Sequence, residues 1–207
     1  MRRIAMIFAA AAMCMALGAS RASAVGVGGY LELGGGSGEF EFSDISNSEF
    51  DVDASYGGLG FVLDTSPGGT GVFSYRLNVG FEGLTLDPDD FDDNIELGGF
   101  VIDNTFAFAV VRAPAVRVWV GPQIRLAYYS GETENSNLDT DLGAFGIGLA
   151  AGANIYPNPQ GRFALAPSLG FRRVGYAGEM DDGFGGTDDL EGYTNLFYLN
   201  LAVLFGR

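Results

Sequence analysis

The 207-residue sequence contains no histidine and no lysine, and its one cysteine, Cys14, lies near the amino terminus. Each absence removes a class of chemistry. Histidine is the commonest general base and metal ligand, and neither role is open to it here. All 11 basic residues are arginines, set against 26 acids for a net charge of −15. Nucleic-acid binding needs clustered cations to displace counterions from phosphates, and no such cluster exists, so no nucleic-acid partner is expected. Charge of either sign is scarce: 18% of residues are charged, while 47% are apolar and 33 are glycine. A water-facing surface usually carries roughly 25–35% charged residues. Long apolar runs are also missing. After Val25 no stretch of 18 apolar residues occurs, so no membrane-spanning helix is expected.

Residues 1–24 read as a secretory signal peptide. Met1-Arg2-Arg3 is a basic start, Ile4 to Leu17 an apolar middle, and Ala22-Ser23-Ala24 a small-residue cleavage site. An apolar run of about 14 residues falls short of the roughly 20 that a spanning helix needs. Met13 precedes Cys14 where a lipoprotein site needs Gly, Ala or Ser. Cleavage before Val25 leaves 25–207 as the mature chain, with eight arginines against 26 acids. That chain has no cysteine, hence neither disulfide nor thiolate nucleophile.

What fills the mature chain is alternation with a period of two. In Phe73 to Phe81, Phe73, Tyr75, Leu77, Val79 and Phe81 share one face, and Ser74, Arg76, Asn78 and Gly80 share the other. Val116 to Tyr128 and Phe145 to Ile155 repeat the pattern. Such alternation specifies strands and does not fit a helix. Eight segments qualify: 25–36, 56–64, 71–84, 96–111, 116–130, 142–156, 163–176 and 193–205. Three connections, 65–70, 112–115 and 157–162, carry the Pro and Gly of tight turns. The other four, 39–53, 87–96, 132–141 and 179–191, read as long acidic loops and hold 22 of the 26 acids.

An even strand number with short turns at one end and long loops at the other predicts an all-β fold. The expected form is an eight-stranded antiparallel up-and-down transmembrane β-barrel. A soluble barrel would present a charged face to water. Here the second face is Gly, Ala, Ser and Asn with scattered Arg and Glu, which suits a narrow lumen, while the Phe, Leu, Val and Ile face suits lipid. A closed barrel pairs every backbone group, as lipid demands.

Beyond the periodicity, four features carry a resemblance. They are the signal peptide, the Gly-rich first strand Val25 to Gly36, the Gly-rich run Gly146 to Tyr156, and the last strand Phe197 to Phe205. Over 25–207 the chain resembles the small outer-membrane β-barrel family of diderm (Gram-negative) bacteria, with its OmpA-like, OmpX-like and OmpW-like members. The resemblance implies outer-membrane localisation and contact with outer-membrane lipid and lipopolysaccharide. It also implies that the last strand is read by the outer-membrane assembly machinery. In the family the final residue is usually aromatic, whereas Gly206 and Arg207 follow Phe205 here. The family's enzymes depend on active-site histidine, so none of their sites carries over.

No enzymatic role, catalytic residue, cofactor or metal centre is therefore expected. The lumen face holds Glu32, Glu82 and Asp103 with Arg76, Arg117, Arg125 and Arg172, close to charge balance. These residues are the candidates for a polar network that plugs the lumen, because buried charges need partners. Arg76 and Glu82 lie six residues apart on one strand, about 20 Å at strand rise, so each needs a partner across the barrel. Arg173 is the one arginine on the lipid-side parity of its strand and is the candidate lipopolysaccharide contact, since its planar fork matches phosphate. The acid runs Asp87 to Asp93 and Asp181 to Asp189 can gather divalent cations weakly. They lack the spacing of an EF-hand loop, and a solvated rim is the preferred reading. The functional expectation is a structural envelope barrel displaying acidic extracellular loops. Alternatives are a narrow porin-like channel for small or hydrophobic solutes, or a surface adhesin or partner-binding barrel.

Overall fold

The structure, a computed structural model, describes residues 25–42, 49–66, 71–89, 94–133, 138–158, 163–181 and 186–206. The expected signal peptide lies outside the described residues. Eight strands follow one another: β1 Gly26–Phe42, β2 Phe50–Asp64, β3 Phe73–Pro88, β4 Ile95–Ala113, β5 Val116–Thr133, β6 Asp139–Ile155, β7 Phe163–Asp181 and β8 Thr187–Phe205. Each pairs antiparallel with its sequence neighbours, and β8 closes on β1, from Val27 opposite Phe205 to Phe42 opposite Leu190. Among the described residues no helix is long and apolar enough to cross a membrane. The wall is entirely strand.

Side chains obey the alternation. Leu31, Leu33, Leu59, Phe61, Phe81, Leu149, Leu169, Phe197 and Leu199 point outward and are exposed, Phe61 at 77%. Outward aromatics meet across strand pairs, with ring centroids 5.8 Å apart for Phe81 and Phe100 and 5.0 Å for Phe171 and Phe197. Large apolar side chains exposed all round a closed wall, above buried polar ones, invert the order of a water-soluble domain.

The strands are longer than the alternating segments suggested, and the four long acidic loops are a correction. Strands of 15 to 19 residues exceed the 9–11 or so that cross a bilayer. Fourteen of the 22 acids assigned to loops stand on strands, among them Glu41, Asp51, Asp53, Asp87, Glu96, Glu132, Asp139, Asp141, Glu179 and Glu191. The connections at that end shrink to 43–49, 89–94, 134–138 and 182–186, no longer than 65–72 or 156–162 at the other end. The contrast between short turns and long loops thus becomes a contrast between the two ends of the wall.

At the acid end the polarity of the wall reverses. Asp51, Asp53, Glu96, Asp141 and Glu191 face outward and are exposed. Between them, inward-facing Phe40, Phe50, Val52, Leu84, Leu86, Ile95, Leu97, Leu142 and Leu190 form a buried apolar core. Phe40 anchors it, with ring centroids 6.2 Å from Phe50 and 5.4 Å from Tyr176. The barrel therefore has two tiers. One has an apolar coat and a lumen that holds the buried charges beside a small apolar cluster around Tyr30, Val62 and Leu204; the other has an acidic coat and an apolar lumen.

Candidate functional site in the barrel lumen

All seven sequence-derived lumen candidates lie inside the barrel and are buried, and they fall into two groups. The first fills the middle. Arg125, from β5, is opposite Asp103 of β4 in register, and its Nη1 lies 3.2 Å from Asp103 Oδ2. The same guanidinium reaches Glu82 of β3 at 2.5 Å and Glu32 of β1 at 3.8 Å. Arg172, from β7, lies 2.5 Å from Glu32 and 3.4 Å from Asp103. Glu32 and Asp103 thus bridge two arginines, and Arg125 bridges three acids.

Neutral groups complete this group. Tyr129 donates its hydroxyl to Glu82 Oε1 at 2.7 Å, Tyr56 to Glu32 Oε1 at 3.1 Å, and Asn200 Nδ2 to Glu32 Oε2 at 2.9 Å. Arg172 Nη2 also donates to the Tyr56 hydroxyl. Its guanidinium lies 5.0 Å from the Tyr56 ring and 4.6 Å from the Tyr198 ring. Strand β6 supplies no charge at this height. Gly146 and Gly148 stand opposite Arg125 and Arg172 in register. A Cβ at Gly148 would collide with the Phe171 carbonyl oxygen and come within 2.7 Å of Arg172 Cβ, so this stretch of wall has no room for a side chain beside Arg172.

The second group lies toward the turn end. Arg76 pairs with Asp64, its register partner on β2, at 3.0 Å, and donates to Asn154 Oδ1 of β6 at 2.7 Å. This corrects the expected cross-barrel ion pair for Arg76: its acid is on the adjacent strand. Asp64 is absent from the sequence-derived candidates, although it shares the inward parity of Tyr56 and Val62. Arg117 is held by neutral acceptors; its Nη1 donates to Ser74 Oγ at 2.8 Å and its Nη2 to the carbonyls of Gly71 and Val72. Arg76 lies 4.7 Å from the centroid of the Trp119 ring.

Breaking such pairs is costly. A buried charge stripped of its partner costs about 3–5 kcal/mol, because the low-dielectric interior cannot solvate it. Arginine suits the role, since its fork bonds two acceptors at once and it stays charged.

Arg173 stands elsewhere. It is exposed on the outer wall, beside Asn195 of β8 in register, with its guanidinium 3.8 Å from the Tyr193 ring. Phe171 lies below it and Glu179 above, so it marks the border between apolar belt and acidic coat. Of the two acid runs considered for divalent cations, residues 90–93 and 182–185 lie outside the described residues.

No family model and no curated protein sequence matches the chain. Solved structures do. The outer membrane protein OprG from Pseudomonas aeruginosa superposes with a TM-score of 0.61 at 7% identity, over 87% of this chain and 96% of that one. Neisserial surface protein A gives 0.42 at 13% identity, covering 86% and 96% of the two chains. A major outer membrane protein from Thermus thermophilus gives 0.42 at 15%, covering 87% and 99%. At such identities the likeness is one of fold, and it is the first of these that carries it. With its closed ring of eight antiparallel strands and the apolar belt around one tier of its exterior, the chain has the fold of the small outer-membrane β-barrels.

Proposed function

We propose that the protein is an integral outer-membrane barrel with a structural, non-enzymatic role in the envelope, closed to solutes by the charged group in its middle. The observation that carries this reading is the bridging of Glu32, Glu82 and Asp103 by Arg125 and Arg172. These five side chains come from five strands, β1, β3, β4, β5 and β7, and converge across the lumen. Eight strands enclose an interior only wide enough for side chains to fill. Purified, refolded protein in a planar bilayer is expected to show no steady conductance. A stable, large conductance in the wild-type protein would replace this reading with that of a narrow channel.

The acidic tier is the part exposed outside the cell in this reading, and the turn end faces the periplasm. The support is that only the acid end has a wall coated for water. A cysteine introduced at Glu132, in a Cys14→Ser background, should react in whole cells with an impermeant reagent. Reaction only after rupture of the outer membrane would reverse the orientation. Arg173 serves in the same reading as a contact for a lipopolysaccharide phosphate, at the border where apolar wall gives way to acid. Assembly machinery reads the last strand, and the acid coat holds divalent cations only loosely.

A further inference from the structure

The two charged groups in the lumen are each out of balance, in opposite senses. The middle holds three carboxylates and two guanidinia; the turn-end group holds Asp64 against Arg76 and Arg117. Arg117 and Arg125 are eight residues apart on one strand, about 26 Å at strand rise, so the surplus acid of the middle does not neutralise the surplus cation below. A second observation is independent of this count. Arg117 Nε, Arg76 Nη1 and Trp119 Nε1 are all buried with no hydrogen-bond partner, in side chains no more than 3% exposed.

The residues that carry these donors are neighbours. Arg117 and Trp119 are two apart on the inward parity of β5. Arg76 lies over the Trp119 ring, and Arg117 bonds Ser74, two residues from Arg76 on the same face of β3. The one charged acceptor is already engaged, Asp64 Oδ2 by Arg76 and Asn154 and Asp64 Oδ1 by the Ser66 amide, as is Asn154 Oδ1 by Arg76; the Tyr156 hydroxyl and Asn78 Oδ1 are buried in the same group without a partner, but both are neutral. The group is therefore rich in donors, short of charged acceptors and in surplus by one positive charge. Buried donors of this kind demand an acceptor, and a unit charge demands a unit counter-charge.

We infer that the turn-end lumen is a binding site for one small monovalent anion of the halide class, held by Arg117, Arg76 and the Trp119 indole N–H. The anion enters from the turn end, where Arg117 already reaches the carbonyls of Gly71 and Val72. It supplies the counter-charge that the neutral Tyr156 and Asn78 oxygens lack. The inference is independent of whether the barrel conducts.

Trp119 is the protein's one tryptophan and reports directly on the site. Refolded protein is titrated with bromide at constant ionic strength, with gluconate as the balancing anion, and Trp119 fluorescence is followed. Saturable quenching that chloride reverses by competition is expected. Arg117→Gln should weaken it by about tenfold or more, the loss of one hydrogen bond to a charged group. Asp64→Asn raises the local positive charge and should tighten binding several-fold, which decides the matter even if Arg117→Gln fails to fold. Linear, non-saturating quenching, an absence of quenching, or unchanged saturation in the folded Arg117→Gln protein would overturn the site. So would Asp64→Asn binding no tighter than wild type.

Discussion

The two tiers of this barrel share the same strands, closure and alternation, yet they are turned inside out relative to one another. Along β2, Phe61 and Leu59 face outward below, while Asp53 and Asp51 face outward above. On the inner parity the same strand carries Asp64 below and Val52 and Phe50 above. The backbone is indifferent to this exchange, because β2 pairs with β1 and β3 through both tiers. Only the surroundings differ. Where lipid is the solvent, the coat must be apolar and polar groups can be placed only within. Where water is the solvent, ordinary hydrophobic burial returns and the lumen becomes the core.

That contrast makes mutations on the same strand behave oppositely, and the largest effect should come from the charged core of the lower tier. Arg125→Ala leaves Glu82 and Asp103 short of their closest cation, and it is expected to cost about 3–5 kcal/mol of stability. Urea unfolding of refolded protein in lipid vesicles measures this. Wild-type-like stability would show that the bridged group is not a structural unit. In the upper tier the comparable loss is a purely apolar one. Leu86→Ala removes a fully buried side chain from that core and should cost about 2–5 kcal/mol by leaving a cavity. Its cost should not depend on the lipid.

Charge placed on the coat separates the tiers further. Leu77→Arg puts a cation in the lipid-facing wall and should cost about 2–4 kcal/mol if it lies near the bilayer midplane. Asp53→Arg, on the exposed acid coat, should stay within about 0.5 kcal/mol of wild type. Equal penalties would mean that both tiers meet the same solvent. The smallest effect is expected at the border. Arg173→Gln should leave stability nearly unchanged, since a cation at the interface costs only about 0–1 kcal/mol. It should weaken lipopolysaccharide binding to the refolded barrel in a pull-down. Unchanged binding would remove Arg173 from the proposed contact.

Much of the lower tier was legible in the sequence because one period carries two readings at once. In Phe73 to Phe81 each odd residue is apolar and each even one is small or polar, so strand, coat and lumen follow together. Asp64 shares that logic and was readable from the parity of Tyr56 and Val62. The upper tier was harder. Phe50-Asp51-Val52-Asp53-Ala54 alternates just as strictly, but its density of acid resembles a solvated loop when the lumen is assumed to stay polar. The apolar residues there hold the inward parity, and that was the signal. The partners of Arg125 were beyond reach. Glu82 and Glu32 meet it only because the ring closes with a particular stagger, which no local pattern encodes. The bare wall at Gly146 and Gly148 was visible as glycine, while its purpose depends on the arginines beside it.

The central claim is that one wall faces two solvents. It is tested most directly by placing an environment-sensitive fluorophore on introduced cysteines at Phe61 and at Asp51, both outward on β2, in a Cys14→Ser background. The refolded barrels are then exposed to a lipid-phase quencher and to an aqueous one. The two-tier barrel predicts that the label at 61 is quenched from the lipid alone and the label at 51 from water alone. Equal access of both quenchers to both positions would contradict it.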